Sequence, residues 1–170
     1  MKDNNKKIKE LAIMAMMVAL LEAAKIALMM LPNIEVVSLL VVLFTLYIEK
    51  KVFVVVTVFS LIECILWGVG TWSIGYFYVW PLLVIITLVL KKHSNVLIWA
   101  VVLGFFGIMY GALFALTIFF TSGVEAMIAY WINGITFDII HCVSNVIIAL
   151  VLFKPMYKII NKLKINNVIL

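Results

Sequence analysis

The segment YWINGITFDIIHCVSN, residues 130–145, sets Asn133, Asp138, His141 and Asn145 among Ile, Phe, Val and Leu. Polar and ionisable groups at membrane depth are costly, at least ~2.5 kcal/mol for an unpaired charge, so they face a bundle interior or an aqueous pocket. On a helix, Trp131, Gly134, Asp138, His141 and Asn145 follow one another at steps of three and four and share one face. Asp138 and His141 can satisfy each other and hold helices together. Alternatively the face lines a cavity, where Gly134 lets a ligand approach the backbone and the polar groups fix its orientation. The length and repetition of the face favour the cavity. A third use, Asp138 and His141 as acid and base of a small intramembrane enzyme, needs a second cluster in reach, with Glu63 or Glu22 as its candidates.

Other residues sharpen the choice. Glu22 and Lys25 lie three apart, on neighbouring turns, and can pair. Glu125, and in part Glu35, sit at helix starts where an acid complements the dipole. Glu63 and Asp138 have no such structural reason and are read as functional. Trp67, Trp72, Tyr76, Tyr78 and Trp80 crowd one stretch beside Gly68 and Gly70, with Tyr130 and Trp131 at the same level. An interfacial aromatic belt accounts for Tyr130 and Trp99. The remaining density exceeds a belt, so two or more of these rings are expected to stack on a ligand. Glu22, Glu35, Glu63 and Asp138 against Lys25 disfavour a polyanion and suit a neutral or partly cationic molecule.

These residues need a membrane scaffold to hold them. Of the 170 residues 67% are hydrophobic and 12% charged, against about half and about a quarter in soluble domains. That leaves too little polar surface for water, so the bilayer is the solvent. A β-barrel is disfavoured, because IEVVSLLVVLFTLYI (34–48) is apolar almost throughout whereas barrel strands alternate. Cys64 and Cys142 fall in apolar runs and read as small hydrophobes. No zinc spacing, phosphate-binding glycine loop or Gly-x-Ser-x-Gly motif occurs, and with only two His no metal cluster is expected.

Breaks at charged and turn-forming residues give six spans, about 8–31, 34–48, 52–69, 74–90, 95–121 and 125–153. The second to fourth are short, so tilting of the others or local thinning is expected. Pro32 ends the first span, Gly68 and Gly70 mark the turn after the third, and Pro81 is placed close to the start of the fourth, where a helix tolerates it. Twelve of the thirteen lysines fall at the two termini or in the connections at 50–51 and 91–92, all on one side of a six-span chain. The positive-inside rule puts that side in the cytoplasm. The expected architecture is an all-α bundle of six transmembrane helices, one membrane domain over 1–170, with both termini cytoplasmic in the cell membrane. The basic balance is thus topological; with no Arg in the chain, nucleic acid is not an expected partner. The charged start and apolar run after it imitate a signal peptide, but cleavage would leave five spans and spoil the lysine asymmetry.

Ala15, Ala19, Ala23 and Ala27 recur every four residues and form a small-residue ridge that lets another backbone approach closely. Packing within its own bundle is one use of such a ridge. Docking of another protein on the cytoplasmic half, at Ala15 and Ala19, is the other. For the comparable stripe Gly107, Gly111 and Ala115, internal packing is favoured.

The chain resembles the substrate-binding S components of energy-coupling factor (ECF) transporters along essentially its whole length. The matching stretches are AMMVA (15–19), LPNIEVVSLL (31–40), YVWPLL (78–83), WINGITFDIIHCVSN (131–145) and LFKPMYK (152–158). The resemblance implies a subunit that captures a vitamin or related micronutrient from outside and has no catalytic site or cofactor of its own. It implies that Ala15 and Ala19 contact a transmembrane coupling protein, driven by two cytoplasmic subunits that use ATP. It also implies an outward-opening pocket that suits Asn33, Trp72, Tyr76, Trp131, Asp138 and His141. With the residues chosen above, the candidate ligand set is Asn33, Glu63, Trp67, Trp72, Tyr76, Trp131, Asp138, His141 and Asn145. The alternative is a membrane scaffold of the bacterial shape-determination type, which binds only proteins and uses the polar face as packing glue.

Overall fold

A computed structural model describes residues 2–165, with side chains over 4–163; Lys2 and Lys164, part of the charge asymmetry, have side chains outside that range, and residues 1 and 166–170 lie outside the described chain. Among the described residues all regular structure is helical: α1 Lys2–Leu28, α2 Val37–Ile48, a 3-10 turn Glu49–Lys51, α3 Val52–Trp67, α4 Thr71–Leu90, and a helical run Val96–Ile165. That run breaks at Gly123, with φ 87° and ψ 179°, a conformation essentially reserved for glycine. It therefore divides into α5 (96–122) and α6 (124–165).

The two halves fold back on each other. Asn145 Nδ2 donates to the Leu103 carbonyl at 3.3 Å, and the Gly111 amide donates to Asp138 Oδ1 at 2.9 Å. Between them, a Cβ added at Gly107 would stand 2.8 Å from the His141 and Cys142 backbone. Each turn up α5 thus meets one turn down α6, and glycine sets the spacing. The stripe through Gly107, Gly111 and the buried Ala115 packs inside the bundle.

Three stretches are long and apolar enough to cross a membrane: Asn4–Leu28, Thr71–Leu90 and Val96–Leu163. The last has 68 residues, about 100 Å if straight against a hydrocarbon core of about 30 Å, so the fold-back at Gly123 is what lets it fit. The helices α2 and α3, with 12 and 16 residues, rise only about 18 and 24 Å. The helix α2 lies at the centre of the bundle. It is buried along nearly its whole length and packs against α1, α3, α4 and the α5–α6 hairpin. A helix apolar on every side, as VSLLVVLFTLYI is, belongs in such a place.

Three expectations change. Pro81 is not near a helix start but midway along α4, where it leaves the Phe77 carbonyl without its usual donor. Pro155 lies inside α6, which runs beyond 153 to Ile165. Trp99 is no belt residue: it is fully buried, its Nε1–H donates to the His93 carbonyl at 3.0 Å, and its ring stacks on Phe153. The alanine ridge is resolved as well, because Ala15, Ala19, Ala23 and Ala27 are all exposed and so do not pack within their own bundle.

Lysine-bearing connections gather at one end. An ion pair joins Lys51 to Glu10 of α1, and Lys91 Nζ meets Glu49 Oε1 at 3.0 Å. The turns at 29–36 and 68–70 and the bend at Gly123 lie at the opposite end, lysine-free in its connections although Lys25 of α1 reaches it.

Candidate functional site

At the lysine-free end the helices leave a cavity of about 700 Å³, within the roughly 300–1,000 Å³ usual for small-molecule sites. Lys25 of α1, Asn33 of the first turn, Trp67 of α3 and Trp72 and Tyr76 of α4 form one side. The α5–α6 hairpin supplies the other, with Tyr110, Gly111 and Phe114 facing Asn133, Gly134, Phe137 and Asp138, and Tyr130 near the rim. A smaller space of about 220 Å³ shares Lys25, Asn33, Tyr76 and Tyr110 with it and reaches Glu35, Trp80 and His141.

Local sequence places these groups. Gly68 closes α3 with φ 81° and ψ 166°, a conformation essentially reserved for glycine. Ser73 Oγ then accepts the Gly70 amide at 3.1 Å and opens α4, so Trp67 and Trp72 flank a short, rigid turn. Edge contacts carry the aromatic wall inward, from Trp72 to Tyr76 at 5.4 Å and from Tyr76 to Phe114 at 5.9 Å. Tyr110 and Phe114 continue it at 4.8 Å.

The first turn is pinned to α6. Asn33 is left-handed (φ 58°), which its short amide side chain tolerates, and its carbonyl accepts Ser144 Oγ at 2.9 Å. Glu35 Oε2 accepts the Ser38 amide at 2.8 Å and so caps α2, while its Oε1 lies 3.1 Å from His141 Nε2. A carboxylate only accepts, so that nitrogen is the donor.

Charges pair differently from their sequence spacing. Lys25 makes an ion pair with the fully buried Glu63 of α3 and also attracts Glu22, one turn before it on α1; both Glu22 carboxyl oxygens are buried without a hydrogen-bond partner. Above this pair the Lys25 Nζ stands 5.9, 6.0 and 5.2 Å from the ring centres of Trp67, Trp72 and Tyr76, within cation–π range. Asp138 and His141 do not satisfy each other. Asp138 turns to Gly111 and His141 to Glu35, leaving Asp138 Oδ2 and His141 Nδ1 buried and unpartnered.

Of the sequence-derived candidates, Asn33, Trp67, Trp72, Tyr76 and Asp138 line the main cavity and His141 the smaller one. Glu63 stands behind Lys25, which lines both. Asn145 is spent tying α6 to α5, and Trp131 is 43% exposed and outside the cavity wall. Tyr110, Phe114 and Phe137 are wall residues that sequence reasoning passed over. The signal available for the first two was an aromatic pair four apart around Gly111. Among the described residues no group of three His, Cys, Asp or Glu side chains is placed to hold a metal ion. No protein family, curated protein or solved structure matches the chain.

Proposed function

We propose that this protein is the substrate-specific membrane subunit of an ECF-type importer, which captures a vitamin or related micronutrient from outside the cell for ATP-driven uptake. The observation that carries this reading is the aromatic-walled cavity of about 700 Å³ at the lysine-free end. Six membrane-crossing helices with cytoplasmic termini in the cell membrane set that end outward, since lysines favour the cytoplasmic side. The chain carries no cofactor and performs no reaction; its partners are a transmembrane coupling subunit and two cytoplasmic ATPase subunits. The exposed ridge at Ala15 and Ala19 is the docking surface for the coupling subunit, because small side chains allow close helix approach in lipid.

The test is mass spectrometry of small molecules released from the chain, purified alone in mild detergent from cells grown in rich medium. One stoichiometric compound, lost from the Asp138→Ala variant, is the expected result. A well-folded sample that holds nothing, even when offered a panel of vitamins, would overturn capture and favour the protein-binding scaffold. Ala15→Trp with Ala19→Trp is expected to abolish uptake and assembly with the coupling subunit while ligand binding persists.

A further inference from the structure

Four carboxylates and two bases stand around the two cavities, and their partners divide them unevenly. Glu63 has Lys25, and Glu35 has His141 and the Ser38 amide. Glu22 has no hydrogen-bond partner and is absent from the main cavity wall. Asp138 differs from all three. It is 5% exposed, it lines the main cavity, and its Oδ1 takes one backbone hydrogen bond while Oδ2 takes none. The carboxylate lies in the wall of an aromatic space, pressed against the α5 backbone at Gly111, and a buried acceptor is incomplete until something supplies a donor or a positive charge.

The walls decide which. Lys25 is the cationic side chain of the cavity wall and is already committed to Glu63, so an anionic ligand would find no free counter-charge there and would face Asp138. The rings present faces of negative potential, which attract cations. One cation already rests against them: the Lys25 ammonium lies 5.2–6.0 Å from three ring centres. Tyr110 and Phe114 offer the same kind of surface beside Asp138, because Gly111 between them brings the carboxylate against the α5 backbone. A matching Cβ at residue 111 would collide with that carboxylate.

We infer that the captured molecule is an organic cation, a protonated amine or a cationic heteroaromatic ring, whose charge is balanced by the Asp138 carboxylate while Tyr76, Tyr110 and Phe114 cover its flat part. This rests on the capture reading and narrows it from any micronutrient to a positively charged one.

The experiment uses the full chain in detergent and matched probes on one ring: benzylamine and benzyltrimethylammonium as cations, benzyl alcohol as the neutral form and benzoate as the anion. Binding is read from quenching of Trp67 and Trp72 and from the shift in unfolding temperature. The cations are expected to bind saturably, at least tenfold more tightly than benzyl alcohol or benzoate. Asp138→Asn, which keeps an acceptor for the Gly111 amide, is expected to erase that preference while unfolding at the wild-type temperature. Equal binding of all four probes, no binding of the cations, or an unchanged preference in Asp138→Asn would overturn the inference. The charge of the compound released from the purified chain separates this inference from its premise. A neutral or anionic compound sinks the cation assignment and leaves capture standing, whereas a chain that releases nothing and binds no vitamin sinks capture itself.

Discussion

The two ends of the bundle use the same residue types and reach opposite results. At the lysine-bearing end Trp99, Phe153 and Tyr157 stack in succession, with ring centres 5.9 and 5.4 Å apart, and fill the space between α5 and α6. Its ion pairs lie outside, the Lys91 and Glu49 side chains being 43% and 51% exposed. At the lysine-free end the aromatic residues stand around a space instead of filling it, and the ion pair is drawn inward, with Glu63 fully buried behind Lys25. Glycines account for part of the contrast. Gly107 and Gly111 bring the two hairpin helices together on one side of the cavity, so wall residues opposite them on α1, α3 and α4 face a gap. Aromatic content therefore does not predict a binding site; the difference lies in whether neighbouring backbones close the space.

The sharpest way to break this comparison is to remove the inward charge. Lys25→Met leaves Glu63 uncompensated in the interior and is expected to cost about 3–5 kcal/mol, read from unfolding in detergent. Lys25→Met combined with Glu63→Leu should recover most of that loss. A single-variant cost below about 1 kcal/mol would mean that the inner pair behaves like a surface one. Next in size is Gly107→Val, whose side chain must push against α6 backbone rather than a side-chain tip; about 1–3 kcal/mol or more is expected. Gly134→Val is its control, since nothing lies within 4 Å of a Cβ there, so stability should hold while ligand affinity falls. At the filled end, Trp99→Phe keeps the ring stack but orphans the His93 carbonyl, for about 1 kcal/mol. Smallest is Lys91→Ala, with a loss under about 1 kcal/mol that vanishes in high salt.

Much of the architecture was legible because bilayer proteins concentrate their punctuation. Paired lysines, Pro32 and the glycines at 68 and 70 stand out against apolar runs, and helices end close to them. The polar face of α6 was legible too, since Asp138, His141 and Asn145 are conspicuous in hydrocarbon. Their partners were not. Spacing shows which residues share a face but not which helix that face meets. It lets Lys25 pair with Glu22, which it does attract, but does not show Glu63, which α3 brings to it. It lets Asp138 and His141 satisfy each other, whereas their hydrogen bonds go to Gly111 and Glu35. Tyr110 and Phe114 carried only the weak mark of an aromatic pair four apart around Gly111, because an aromatic residue on an apolar helix reads the same whether it packs or lines a space. The central place of α2 follows from its all-round apolar character, a cue that length alone obscured.

The one-residue bend at Gly123 has a consequence for how the chain enters a bilayer during synthesis. A hairpin joined by so short a bend has little hydrophilic chain to drag across: Thr121, Ser122 and Glu125 are its exposed polar residues, beside the exposed apolar Phe120 and Val124. Its two arms are therefore suited to insert together, as one body, rather than in turn. The arms that insert together are also the ones that cover Asp138, whose Oδ1 is bonded to the Gly111 amide of the facing arm. An acid that is costly to pass through hydrocarbon alone thus travels with part of its hydrogen bonding already made.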